Sequence, residues 1–193
     1  MSSYWKLVTP VTITIAVILI GTLALLARDG EGGDGIDHSK VQQGFDIAPV
    51  PLDLTGKNRD LVGMGSYIVN ANGGCLECHT NPPYLPGGDP FLGQPKKVNT
   101  DCYLTGGMQF GPFTSRNLTP ENGLPEGHTF AEFVTIMRTG KDFDLKHPQI
   151  SPLLQVMPWP VFQNLTDRDL QAIYEYLSAI PAPKPGANCT IVK

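Results

Sequence analysis

Two cysteines and a histidine stand together in Cys75-Leu76-Glu77-Cys78-His79, and no other part of the 193 residues concentrates chemistry in this way. C-x-x-C-H is the spacing at which a haem is attached covalently. Two thiols one helical turn apart can each add to one vinyl group of a single porphyrin, and the adjacent imidazole then reaches the iron as its proximal ligand. A thioredoxin-like redox pair is a rival reading, but it needs a βαβ setting, and the flanks of Cys75 are Gly-rich and helical in pattern. Half of a zinc site is another. It needs a second C-x-x-C or a His pair at short range, whereas Cys102 and Cys189 each stand alone.

Composition fits a modest domain rich in loops. Gly and Pro make up 39 of the 193 residues, about a fifth of the chain, where about 12% is usual. Such loops can be tolerated where a bound porphyrin supplies the apolar surface they pack on. A net charge of −4 gives no reason to expect a nucleic-acid partner.

Residues 1–28 read as an N-terminal transmembrane anchor. Leu7 to Ala27 is a run of 21 residues without a charge, and at about 1.5 Å per residue it spans one bilayer core of about 30 Å. A cleaved signal peptide competes, but the run exceeds the usual apolar region and no clean A-x-A site follows it. Lys6 lies before the run and Arg28 after it, so the positive-inside signal is weak. Residues 29–58, rich in Gly, Asp and Pro, show no sustained helical period and read as an arm: a tether if free, a strap along a neighbouring subunit if docked.

A domain is expected over 59–193. In Arg59 to Val69, the residues Leu61, Val62, Met64, Ile68 and Val69 fit one helical face, and Gly73-Gly74 ends the helix just before the motif. Thr129 to Thr139 opens on the capping box Thr129-Phe130-Ala131-Glu132 and stops at Gly140. Thr166 to Ala179 has Thr166 as N-cap with Asp169 at capping-box distance, buries Leu170, Ile173, Tyr174 and Leu177, and ends before Pro181. The stretch from Thr80 to Arg116 has almost no periodicity and reads as a loop that wraps a haem edge.

The order of these pieces resembles the mono-haem class I cytochrome c family. Its carriers are a Gly65-Ser66-Tyr67 helix, C-x-x-C-H, Asn117-Leu118-Thr119-Pro120, a capped helix, Met157-Pro158-Trp159-Pro160 and Leu165-Thr166-Asp167-Arg168-Asp169-Leu170. The branch it is most similar to is bacterial, found as domains of membrane-bound dehydrogenases and subunits of respiratory complexes. The resemblance implies an all-α class I cytochrome c fold with long haem-wrapping loops, preceded here by one transmembrane helix. It also implies one covalently bound haem c on Cys75 and Cys78, and a first and last helix that cross at Gly65 with Tyr67, Tyr174 and Leu177 packed there.

His79 is the expected proximal ligand. For the sixth position the candidates are Met64, Met108, Met137, Met157, His38, His128 and His147. Met64 and Met137 fall in predicted helices, where filling the core accounts for them. His38 lies in the arm, and His128 reads as an exposed residue before a helix cap. Met157, in a loop before the last helix, matches the position of the family's axial Met; Met108 and then His147 stand behind it. Tyr103, Arg116, Asn117 and Trp159 are candidates to hydrogen-bond the haem propionates, with ordinary loop packing as the alternative for each. Cys102 and Cys189 would pair in an oxidising compartment, with two buried free thiols as the alternative.

The resulting expectation is a membrane-anchored single-electron carrier. Covalent haem attachment in the bacterial proteins it resembles takes place outside the inner membrane, so the haem domain should face the periplasm as part of a single-pass inner-membrane protein. No general base, nucleophile, phosphate loop or flavin motif accompanies the motif, so an enzyme is not expected. A peroxidase or ligand-binding haem, which needs an open sixth position, is the alternative. Expected partners are a redox donor and acceptor and the subunits of an integral membrane complex of the alternative complex III, oxidase or dehydrogenase type. From Arg59 onward ten basic residues face twelve acidic ones, so no strongly basic docking face is evident, and Lys96-Lys97 reads as a solvated turn.

Overall fold

Asn58 accepts hydrogen bonds from the backbone N–H groups of Asp60 and Leu61 and so starts the helix Arg59–Tyr67, which the computed structural model places at the centre of the molecule. The structure describes residues 36–145, 151–183 and 189. These are mainly helical, with two short hairpins. In chain order the helices are α1 (His38–Ile47), α2 (Arg59–Tyr67), α3 (Cys75–His79), α4 (Phe130–Thr139), α5 (Trp159–Phe162) and α6 (Asp167–Ala179). Strands β1 (Gln109–Phe110) and β2 (Phe113–Thr114) pair antiparallel, as do β3 (Pro120–Glu121) and β4 (Leu124–Pro125).

Helices α2 and α6 cross in close contact. Leu61, Val62, Leu170, Ala172, Tyr176 and Leu177 are buried there. Gly65 permits the crossing, because a Cβ at that position would land on the backbone carbonyl of Ala172. The tyrosine beside Gly65 is Tyr176 rather than Tyr174. Tyr174 points the other way, against Phe130 and Phe133 at ring separations of 5.3 and 5.6 Å, and its hydroxyl donates to the carbonyl of His128. Tyr67 is half-buried beneath Lys40. Gly73-Gly74 ends the helical run just before the motif, as expected, with a π-helical turn, Ile68–Asn72, forming its last five residues.

The segment expected as an irregular arm is described from Ile36 on, and there it is folded. Asp37 caps α1 through the N–H groups of Ser39 and Lys40. This helix lies across α2 so closely that a Cβ at Gly44 would land on the carbonyl of Gly63, and Ser66 Oγ donates to the Gly44 carbonyl at 2.6 Å. A glycine that reads as a helix breaker in sequence is here a crossing point. Further on, Val50 is buried and the Asp53 N–H donates to the carbonyl of Ala179.

The capping boxes at Thr129 and Thr166 form as the sequence predicts, and Gly140 ends α4 in the left-handed region at φ +69°. Arg138 on α4 donates to the carbonyls of Gln163 and Leu165 and to Asp167, which fastens α4 to the start of α6. Cys102 and Cys189 are disulfide-bonded, with Cα atoms 5.4 Å apart. Among the described residues no helix is long and apolar enough to cross a membrane. The uncharged run 7–27 lies outside them, as do residues 1–35 altogether.

Candidate functional site

Gly74, at φ +59°, reverses the chain between the π-helical turn and α3. The reversal places Cys75, Cys78 and His79 on the wall of a cavity of about 320 Å³. Most of the lining is apolar. Ile68 and Val69 form one side, Phe133 and Met137 of α4 another, and Ile173 and Leu177 of α6 a third. The volume is in the range of cofactor pockets. Three helices and the loop before α5 must therefore be in place before the cavity exists.

Burial pushes the Cys75 thiol up to about 12, with the neighbouring Cys78 and Glu77 adding to it. Burial raises Cys78 as well. Among the described residues the strands form only two antiparallel hairpins, so the pair lacks the βαβ setting that the thioredoxin-like reading needs. Among the described residues no group of three or more His, Cys, Asp and Glu side chains gathers as a bare metal ion would require. The half-zinc reading finds no second pair of ligands there.

His79 is held by its far ring nitrogen. Nδ1 lies 2.8 Å from the carbonyl oxygen of Arg116. A carbonyl can only accept, so Nδ1 carries the proton and Nε2 keeps its lone pair. Burial lowers the ring's pKa and so favours the neutral form. An outer hydrogen bond of this kind fixes the orientation and basicity of a metal-binding imidazole. In turn the His79 carbonyl accepts from the Gly106 N–H at 2.6 Å.

Arg116 lines the cavity too. Its guanidinium is buried against Asp142 and reaches Asp144 at 3.3 Å. Burial alone would raise the Asp142 carboxyl, but the hydrogen bond and charge of Arg116, with the N–H groups of Leu145 and Asp144, outweigh it and hold the carboxyl below its ordinary value. Arg116 Nε is left buried without a hydrogen-bond partner. An orphaned guanidinium N–H on an otherwise apolar wall suits an anionic substituent of the occupant. His128, expected at the surface, is 7% exposed, its ring tilted against that of Phe143 with Nε2 3.8 Å from Asp144.

Met157 lines the cavity from the loop before α5. Met137 lines it from α4, as a buried core residue. Met64, Met108, His38 and His128 are not among the lining residues, and His147 lies outside the described residues. Three of the four expected propionate contacts are engaged elsewhere. The Tyr103 hydroxyl donates to Asn70 at 2.6 Å and lies 2.9 Å from the Tyr176 hydroxyl. Asn117 Oδ1 accepts from the N–H and hydroxyl of Thr119, and Trp159 Nε1 donates to the carbonyl of Leu154 while its ring covers Gly140. The partnership of Arg116 with Asp142 and Asp144 was not legible in sequence, since nothing in a separation of 26 residues announces an ion pair.

A turn of helix with two thiols, a neutral imidazole oriented from behind, a thioether and an apolar cavity between them define the haem domain of a c-type cytochrome. The chain is similar to the gluconate 2-dehydrogenase cytochrome c subunit of Pantoea cypripedii, 30% identical over 134 residues, which are 68% of this chain and 26% of that protein. It is 34% identical over 134 residues to a subunit of the nicotinate dehydrogenase of Pseudomonas putida, 68% of this chain and 10% of that one. It is 30% identical over 132 residues to the cytochrome c subunit of the quinone alcohol dehydrogenase of Gluconobacter oxydans, 66% of this chain and 25% of that one. The chain thus spans about a quarter or less of the length of these curated relatives. No family model and no solved structure matches it. Over about two thirds of its length the chain is thus similar to cytochrome c subunits of dehydrogenases, which supports the cytochrome c family for it.

Proposed function

We propose that this protein is a membrane-anchored electron carrier with the class I cytochrome c fold, holding one haem c and serving as the cytochrome subunit of a dehydrogenase or related respiratory complex. What carries the reading is one observation: the C-x-x-C-H turn, the outward-held Nε2 of His79 and the thioether of Met157 share a single apolar cavity. When bound, the haem supplies a one-electron ferric/ferrous couple. Cys75 and Cys78 would hold it through thioether bonds, and His79 and Met157 would be the ligands of its iron. A thioether ligand raises the reduction potential relative to a second imidazole. The Arg116 carbonyl keeps His79 from turning, and with both ligands supplied by the chain little would need to rearrange when an electron arrives or leaves. Val156 and Val161 line the cavity yet are exposed, and they mark the edge at which electrons enter and leave.

In this reading the chain is not itself an enzyme, because His79 and Met157 together would leave the iron no open position for a substrate. The uncharged run 7–27 anchors it in the bacterial inner membrane as a single span, with the haem domain in the periplasm. The relatives' names support a dehydrogenase partner. The test is the optical spectrum of oxidised and reduced protein, with and without carbon monoxide, for wild type and Met157→Ala. Low-spin spectra, no carbon monoxide binding by wild type and binding by the variant are expected. Carbon monoxide binding by wild type would overturn the closed carrier in favour of a ligand-binding haem or peroxidase.

A further inference from the structure

Residues 85–97, none of which lines the cavity, form a loop that holds two large apolar side chains out into solvent. Phe91 is 79% exposed and Leu92 72%. Around them Leu85, Pro86, Pro90 and Pro95 are exposed too. The loop is built rather than loose. Tyr84 and Val98 pair at its base, the Leu85 N–H donates to the Lys97 carbonyl there, and Gly88 accepts from the Lys97 N–H at 3.0 Å. Asp89 caps the turn Pro90–Leu92 and Gly93 ends it at φ +73°.

The way the backbone is satisfied says what this tip suits. Gly88 donates to Leu85, Asp89 to the Gln94 side chain, Phe91 to the Asp89 carboxylate, Leu92 and Gln94 to the Asp89 carbonyl, and Gly93 to Pro90. Pro90 has no N–H to satisfy. Every backbone N–H from Gly88 to Gln94 therefore has its acceptor inside the loop. A protein partner would have use for free donors at such a tip. A hydrocarbon boundary penalises them, since nothing there can satisfy a backbone polar group. Directly behind the tip stand Lys96 and Lys97, both exposed, on a chain whose net charge is −4. An apolar tip with an aromatic ring and a basic collar is the arrangement of an interfacial membrane contact.

We propose that this loop docks on an anionic lipid bilayer, with Phe91 and Leu92 in the interfacial layer and Lys96 and Lys97 against the headgroups. Docking there would hold the haem domain of the proposed function in one orientation over the membrane. The docking itself is argued from the loop alone and depends on neither the haem nor the anchor.

The test is photo-cross-linking of the full-length, haem-loaded protein in phosphatidylcholine vesicles with and without phosphatidylglycerol, a trace of the lipid carrying a diazirine on its acyl chain. Adducts located by peptide mass spectrometry should fall on Pro90 to Leu92 when phosphatidylglycerol is present. Lys96→Gln/Lys97→Gln should lower their yield about tenfold or more. Glutamine keeps the Cβ of Lys97 against Gly88, and an unchanged haem spectrum verifies the fold of the variant. The proposal is overturned by a loop without adducts on vesicles that carry the protein, or by adducts indifferent to phosphatidylglycerol and to both lysines. Amine cross-links joining Lys96 or Lys97 of two copies, in place of lipid adducts, would overturn it in favour of self-association.

Discussion

Asp142 shows how far the constraint on one imidazole reaches. The carbonyl that orients His79 belongs to Arg116, and the Arg116 side chain is buried only because Asp142 and Asp144 neutralise it. Replacing Asp142 by Asn leaves a buried guanidinium half-paired, a change worth about 3 kcal/mol when a partner is removed from a buried ion pair. The sign with pH follows from the direction of the shift. The folded carboxyl lies below its unfolded value, so its contribution is complete above the unfolded pKa of about 3.9 and is lost as pH falls through the lower folded value. Urea unfolding of wild type and Asp142→Asn should therefore differ most at neutral pH and converge in strong acid. A difference that stayed constant into strong acid would place the effect outside the ion pair.

Among the elements, the crossing of α2 and α6 is the least forgiving. Gly65→Ala puts a methyl group onto the Ala172 carbonyl, and backbone cannot step aside as a side chain can. We expect a loss of about 3 kcal/mol, at the upper end of overpacking effects, measured by chemical unfolding of the haem-loaded protein. Thr166→Ala, which removes only the N-cap of α6, should cost about 1 kcal/mol. The crossing at Gly65 was expected from the family resemblance alone, whereas the cap at Thr166 was legible from a local signal, Thr followed at three by an acid. So was α4, for the same reason. The first helix was not, because Gly44 and the polar run around it carry no helical period, and only the neighbouring Gly63 gives them a use. Tyr174 and Tyr176 lie two apart on α6, and no pattern within the helix shows that Tyr176 belongs to the polar cluster with Tyr103 and Asn70 while Tyr174 belongs to α4. In the site the same division holds. Cys75, Cys78 and His79 are a contiguous motif, whereas the buried place of His128 depends on Asp144 and Phe143. Trp159, which as an aromatic beside Met157 suggests a haem contact, serves as a lid on Gly140.

At the scale of the whole molecule, two devices hold distant parts of the chain together. The disulfide closes a separation of 87 residues, and constraining an unfolded loop of that length contributes about 4 to 5 kcal/mol in the chain-entropy account. Cys102→Ala/Cys189→Ala should lower stability by up to that amount while leaving the haem spectrum unchanged, since neither residue lines the cavity. The cavity is the stronger dependence. Its walls come from the π-helical turn, the motif turn, both strands of the first hairpin, α4, the loop before α5, α5 itself and α6, so it draws on the chain from residue 68 to residue 177. Emptied, those apolar walls face water across a space of about 320 Å³, a burden on a domain whose entire stability is ordinarily about 5–15 kcal/mol. The polypeptide without its cofactor should therefore not keep this fold as a rigid unit. Cys75→Ser/Cys78→Ser, which removes both attachment points, should retain part of the far-ultraviolet helical signal while losing near-ultraviolet aromatic signal and binding a hydrophobic dye, the behaviour of a state with secondary structure but without fixed packing. A variant that lacked haem yet unfolded cooperatively, with wild-type near-ultraviolet bands, would show that the three helices hold the cavity open by themselves, and that the cofactor is a passenger in the fold rather than part of its core.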